Sequence, residues 1–218
     1  RKTSSNSMFF KFDGFNSIAD PEFLTGTTHL LISIPPDVDG DPVLKSYGSE
    51  LSELKSLEWV GYLSSTSVYG DSGGRWISEN FPPNPGTKRG HNRLFAEGQW
   101  SEFGKNTGVS VQIFRLAGIY GPGRSVFDQL RAGTAKRIDL PNMVTNRIYI
   151  DDIVQVVTAS IKNPTQGAIY NVADDEPANT ARVVEYACQI IGLAPPPLIS
   201  LEKAQLNDMG RSFYSESR

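Results

Sequence analysis

Four stretches of this sequence carry side chains able to do chemistry. Leu63-Ser-Ser-Thr-Ser-Val-Tyr-Gly70 leaves an apolar run and enters a Gly-rich segment. Hydroxyls at the carboxyl end of a buried strand point into a crevice, where one can hydrogen-bond a reacting oxygen. A serine cluster of this kind also serves loop capping and turn chemistry. Arg115-Leu-Ala-Gly-Ile-Tyr-Gly-Pro-Gly-Arg124, Arg147-Ile-Tyr-Ile-Asp-Asp152 and Ile169-Tyr-Asn-Val172 follow in that order. Tyr69 and Tyr120 stand among them as cleft residues or as packing rings. A basic run, Lys88, Arg89, His91 and Arg93, reads as a solvated helical face or as an anion site. His91 reads as an alternative proton carrier, whereas His29 sits inside an apolar run and reads as structural. Two distant His and one Cys give no metal-ligand spacing, so no metal site is expected.

The elements that position these groups follow from punctuation and periodicity. Asp20-Pro21 and Asp41-Pro42 each place a capping acid before a proline, which predicts two helix starts. After the second, Leu44, Tyr47, Leu51 and Leu54 form one apolar helical face. Residues 29–34 and 59–63 are short, nearly continuous apolar runs, as expected of strands buried on both faces of a parallel sheet. A helix carrying Ala96, Gln99, Trp100 and Phe103 and closed by Gly104 comes next, then a strand over 109–113. A short strand over 147–150, a helix capped by Asp151 or Asp152, a strand over 168–172 and a helix over 180–191 ended by Gly192 complete the alternation. The fold class is α/β, a doubly wound parallel sheet. Gly- and Pro-rich loops at 70–90, 121–123 and 174–179 would line its ligand crevice. Residues 1–7 read as a polar, frayed start.

Composition removes several function classes. The 218 residues carry 21 Lys+Arg against 24 Asp+Glu, a net charge of −3, and lack the basic excess of a nucleic-acid binder. Hydrophobic residues make up 39%, which fits a globular chain rather than a disordered one. No apolar stretch approaches the roughly 18 residues of a membrane-spanning helix. Cys188 has no partner for a disulfide, and no Asn-X-Ser/Thr acceptor occurs, which fits an intracellular, reducing compartment.

Taken together and in order, the four stretches resemble the extended and atypical short-chain dehydrogenase/reductases, the NAD-dependent epimerase/dehydratase family, from about Phe9 onward. The resemblance implies a Rossmann-like fold, NAD or NADP as cofactor, and a small anionic or nucleotide-sugar-like metabolite as substrate. It implies Ser65 as the serine that hydrogen-bonds the reacting oxygen, four residues before Tyr69. Ser33 and Pro35 match where the family passes the adenosine ribose, and Tyr120 joins the cofactor side. Anchoring the register on Glu97 puts Arg93 at the family's lysine and Arg89 at its catalytic tyrosine. The Tyr-x-x-x-Lys pair has become Arg-x-x-x-Arg. A guanidinium stays protonated, so Arg89 cannot be a general base. Two arginines one turn apart repel by a few tenths of a kcal/mol, which a doubly anionic ligand would offset.

None of the 20 glycines falls in the family's G-x-x-G-x-x-G or G-x-G-x-x-G turn. The chain therefore reads as truncated at both ends, starting after the family's second strand. Residues 1–145 would form an incomplete NAD(P)-binding domain, and 146–218 an incomplete, interleaved substrate-side portion. A missing first strand lying between retained strands would leave the isolated 218 residues poorly soluble and without function. The expected catalytic set is Ser65, Tyr69, Arg89 and Arg93; the cofactor set is Ser33, Pro35, Ser65, Arg93 and Tyr120. The parent is expected to act as an oxidoreductase or isomerase. The alternative is a non-catalytic nucleotide-binding sensor or scaffold on the same fold. The expected partner is a small molecule rather than nucleic acid or membrane, and a homodimer stays open. The compartment is expected to be the cytoplasm or, from a likeness to plant members, a plastid.

Overall fold

The computed structural model describes residues 10–14 and 21–217. The expectations for residues 1–7, for Phe9 and for Asp20 lie outside the described residues. Pro21–Leu24 forms only a single 3-10 turn, not the helix predicted after Asp20-Pro21.

Four of the five predicted strands form one parallel sheet, and the one predicted over 147–150 pairs outside it. Strand β1 (His29–Ile32) pairs with β2 (Trp59–Ser65), β2 with β3 (Ser110–Leu116), and β3 with β7 (Ile169–Val172). The order is β1-β2-β3-β7, so neighbours in the sheet are hydrogen-bonded directly with no gap between them. This corrects the expectation of a strand missing from the middle. The four strands are contiguous, and β1 forms one edge of the sheet.

Side-chain alternation along the strands decides which face each helix covers. Val60 and Tyr62 of β2, with Val111 and Ile113 of β3, pack against α1 (Pro42–Glu53) and α2 (Lys88–Thr107). The predicted stripe holds here: Tyr47 and Leu51 are buried, with Leu44 and Leu54 packed beside them. Asp41 caps α1, its Oδ1 accepting from Val43 N at 2.9 Å and Leu44 N at 3.2 Å. Trp59, Phe114 and Leu116 face the other way, onto Ile153 and Val157 of α4 (Ile150–Lys162). Burial on both faces accounts for the continuously apolar sequences of β2 and β3. In β1 that expectation does not hold, since Leu31 is 48% exposed on this edge strand.

Two helix ends differ from expectation. Helix α2 runs through Gly104 to Thr107 and closes on Gly108, whose φ of 77° is the left-handed conformation of a C-cap. Gly104 is there for packing instead, since a Cβ would stand 2.8 Å from Val111 Cγ2. Helix α4 has Tyr149 at its N-cap without a side-chain cap bond, and Asp151 and Asp152 lie inside its first turn. There they favour the positive end of the helix dipole rather than cap it.

The remaining elements gather at one end of the sheet. Strand β4 (Gly118–Tyr120) pairs with β6 (Arg147–Tyr149), and β5 (Arg137–Ile138) with β8 (Leu198–Ile199), as two small parallel ladders. Helix α3 (Val126–Arg131) opens on a capping box between Ser125 and Asp128. Helix α5 (Thr180–Ile191) starts at Asn179 and ends on Gly192 as predicted. Helix α6 (Asp208–Phe213) precedes a segment that returns to the sheet end.

Candidate active site

Strand β2 delivers the serine turn to the carboxyl edge of the sheet. Ser65 ends the strand and caps the 3-10 turn Thr66–Tyr69, its Oγ accepting from Ser67 N at 3.2 Å. Helix α2 begins beside this turn because Gly90 allows it: a Cβ there would meet Ser67 O at 2.6 Å and Pro85 Cβ at 2.7 Å. Thr87 caps the helix through Gly90 N.

That close approach sets the two arginines. Arg93 is half-buried and donates from Nη1 to Leu63 O at 2.6 Å, two residues before Ser65 on β2. Its guanidinium carbon lies 5.9 Å from the Tyr62 ring centroid. One turn earlier, Arg89 is exposed and makes no hydrogen bond or ion pair among the described residues. The arrangement therefore holds one fixed cation, Arg93, and one exposed cation, Arg89, one turn apart on α2. Ser33 and Pro35 follow β1, both exposed, on the neighbouring strand end.

Beneath this edge runs a buried polar chain. Ser64 Oγ donates to Glu97 Oε1 at 2.6 Å. Arg115 holds Glu97 through Nη2 and Nε, and donates from Nη1 to Tyr69 Oη at 2.8 Å. Tyr69 in turn donates to Asn171 Oδ1 at 2.7 Å. Its phenol is thus engaged as both acceptor and donor, and its ring is buried under the Arg115 guanidinium. Burial alone would push Arg115 down, but the Glu97 carboxylate and the Tyr69 bond outweigh it and leave its pKa raised.

Tyr120 belongs to a second group. It lines a cleft of about 470 Å³ with Ile148, Asp152, Asn171, Asp174 and Asp175. Its ring lies 5.4 Å from that of Tyr149. Partial burial, then the Asp174 carboxylate, raise its pKa, so the phenol stays protonated as a donor. Asn171 joins the two groups, since it lines this cleft and also binds Tyr69. Ser65 and Tyr69 thus share the turn after β2, Arg93 is held on the β2 backbone two residues before Ser65, Arg89 is exposed one turn earlier, and Tyr120 lines the cleft that Asn171 shares.

Three further parts of the site were not singled out from sequence. Asn171 was visible only as a letter within its motif. Arg147 is half-buried with no ion pair among the described residues, and desolvation lowers its pKa. It neighbours Tyr214, Asp174 and Tyr120, and its place at the head of a quoted motif was the available signal. Glu216 and Ser217 are buried, 5% and 8% exposed, and nothing in the local sequence announces it. Among the described residues, no group of three or more His, Cys, Asp or Glu could hold a metal ion, and no helix is long and apolar enough to cross a membrane.

Comparison with known proteins adds to this geometry. Residues 51–173, more than half of the chain, match the model of the NAD dependent epimerase/dehydratase family. Protein YeeZ of Escherichia coli (strain K12) is 38% identical over 186 residues, covering 81% of this chain and 64% of its own length. The chain therefore spans less than two thirds of the curated relatives it matches. A functionally unknown conserved protein from Silicibacter pomeroyi DSS has a solved structure with 47% identity and a TM-score of 0.83, over 89% of this chain and 68% of that one. UDP-glucuronic acid 4-epimerase from Bacillus cereus, solved in complex with NAD, shares the fold at 18% identity and a TM-score of 0.66, over 91% of this chain and 76% of that one. By sequence motif, sheet order and family match, the chain belongs to the NAD dependent epimerase/dehydratase family.

Proposed function

We propose that this chain is the cleft-bearing part of an NAD(P)-binding epimerase/dehydratase-like protein acting on a small anionic or nucleotide-sugar-like metabolite. The observation that carries the reading is the fixed Arg93 guanidinium two residues from Ser65, with the free Arg89 beside it. The carboxyl edge of β1 and β2 fits the ribose side of a dinucleotide, because Ser33, Pro35 and Ser65 leave it open and Arg93 supplies a held donor. A nicotinamide bound there would accept or return a hydride. Ser65 would hydrogen-bond the substrate oxygen, and Arg89 would close on an anionic group once both are bound. Arg147, without a carboxylate at ion-pair distance among the described residues, is the matching cation on the substrate side. Residues 1–145 and 146–218 then divide the work as cofactor and substrate portions.

Tyr69 in this reading holds Asn171 and the serine turn. No arginine can take a proton at accessible pH, so a Tyr-based proton shuttle is not part of the proposal. That same fact supports a second reading, a nucleotide-responsive sensor without turnover. Calorimetric titration of NAD⁺ and NADP⁺ into the full-length protein, with Arg93→Ala beside it, tests both. Binding that Arg93→Ala weakens by about 10- to 100-fold, the worth of a charge-assisted hydrogen bond, supports a dinucleotide site. A folded protein that binds neither overturns it. Product formation from bound substrate separates enzyme from sensor.

A further inference from the structure

Residues 214–217 return to the serine loop and bury polar groups there. Ser217 O accepts from Ser72 N at 2.9 Å and from Ser72 Oγ at 3.0 Å, while Ser217 N donates to Asp71 Oδ1 at 3.1 Å. On the other side Ser217 Oγ accepts from Val144 N at 3.1 Å. Glu216 Oε1 accepts from Gly86 N at 3.0 Å, and the fit is so close that a Cβ on Gly86 would stand 2.6 Å from that oxygen. Tyr214, whose pKa burial raises against the pull of Arg147, continues the segment toward the substrate-side cation.

These contacts fall at significant points of the chain. Asp71 and Ser72 open the loop that leaves the serine turn, and Gly86 closes it, one residue before Thr87, the N-cap of α2. The neck of this loop is already tight, since Gly70, at φ +68°, would place a Cβ 2.0 Å from Asn84 O. Val144 precedes the strand that carries Arg147. One buried segment therefore touches the exit of the serine turn, the entrance of the arginine helix and the approach to Arg147. A carboxylate buried to 5% exposure is costly unless its bonds are needed.

We propose that Glu216 and Ser217 form a strap that positions the α2 arginines: Glu216 fixes the peptide ahead of the helix cap, and Ser217 ties the serine loop to the segment before Arg147. The strap rests on the reading of Arg89 and Arg93 as an anion-binding pair. Glu216 is a positioning residue, acting through the start of α2 and not by touching ligand. Because Gln keeps the accepting oxygen and Ala does not, Glu216→Gln is expected to preserve the arrangement that Glu216→Ala loses.

The test uses the full-length protein with Glu216→Ala, Glu216→Gln and Ser217→Ala. Amide hydrogen exchange and the guanidinium NMR signals of Arg89 and Arg93 are recorded without ligand, and NAD⁺ and NADP⁺ titrations follow. Expected in Glu216→Ala are at least tenfold faster exchange at Gly86, a shifted or broadened Arg93 signal and unchanged protection in β2 and β3, with the first two returning to wild type in Glu216→Gln. Ser217→Ala, a milder change, is expected to speed exchange at Val144 alone and keeps the test alive if Glu216→Ala does not fold. Unaltered exchange at Gly86 or an unaltered Arg93 signal in Glu216→Ala overturns the strap; so does unaltered exchange at Val144 in Ser217→Ala. Dinucleotide affinity equal to wild type in Glu216→Ala, where Arg93→Ala loses it, also overturns the positioning role. If the strap signals behave as expected but the wild-type protein binds neither dinucleotide, the strap stands and the proposed function falls.

Discussion

Arg115 and Glu97 form a closed ion pair between β3 and α2, with Nη2 2.7 Å from Oε2 and both side chains 4% exposed. Strand alternation turns Arg115 to the same face as Ile113, where α2 packs, and Glu97 meets it one turn after Arg93. The guanidinium reaches both carboxylate oxygens and still has Nη1 for Tyr69. The pair thus fixes the rotation and height of α2 against the sheet, and with them the place of Arg93.

Removing one partner leaves a buried charge uncompensated. Glu97→Ala is expected to destabilise the protein by about 3–5 kcal/mol, as broken buried pairs do. Urea denaturation followed by circular dichroism measures it; a loss below about 1 kcal/mol would show the pair to be dispensable.

Tyr69→Phe keeps the ring beneath the guanidinium and deletes only the oxygen. Arg115 Nη1 and Asn171 Oδ1 then lose their partner, at an expected cost of about 1–3 kcal/mol. A double-mutant cycle with Asn171→Ala should return a coupling above about 0.5 kcal/mol. Strict additivity would mean that the two side chains do not act on one another.

Asp41 supplies a pH signature. Burial, only partly offset by its backbone bonds and by Arg93, raises its pKa above the ordinary 3.8. An acid with a raised folded value gives stability that is complete below about pH 3.8 and lost as pH climbs through the folded value. Asp41→Asn retains the capping oxygen and removes the titration. The variant is expected to gain stability on wild type between about pH 4 and neutrality, in thermal melts run across that range. A constant difference at every pH would remove Asp41 from the account.

Gly90→Ala tests the contact between α2 and the serine turn. The new methyl must displace Ser67 O or Pro85, and neither is the end of a flexible chain. Overpacking of this kind costs about 1–3 kcal/mol, against the few tenths to 1 kcal/mol that Ala would gain in an open helix. The affinity for dinucleotide should fall with it, because Arg89 is the preceding residue. A stabilised variant with unchanged binding would show the approach to be loose.

Much of the architecture was legible because it rests on local rules. Asp41-Pro42 starts α1, Gly192 ends α5, and runs apolar on both sides mark the strands of a covered parallel sheet. These signals act within a few residues, and solvent exposure alone enforces them. Where two local rules competed, tertiary packing chose. Gly104 looked like a helix stop, yet α2 passes through it because the sheet lies too close for a side chain.

The types of residue at the site were likewise written in the sequence: a serine turn, arginines four apart, and motifs carrying Arg115, Arg147 and Asn171 in a fixed order. That order determined the family, and the sequence alone shows that none of the 8 tyrosines is followed four residues later by Lys. What only the folded chain decided was who meets whom. Ser64, Glu97, Arg115, Tyr69 and Asn171 come from five separate elements, and Glu216 reaches Gly86 across 130 positions. Such pairings depend on strand order and helix packing, which place distant residues within bonding reach. No periodicity encodes them, because a buried carboxylate and an exposed one read identically until a partner from elsewhere in the chain closes over it.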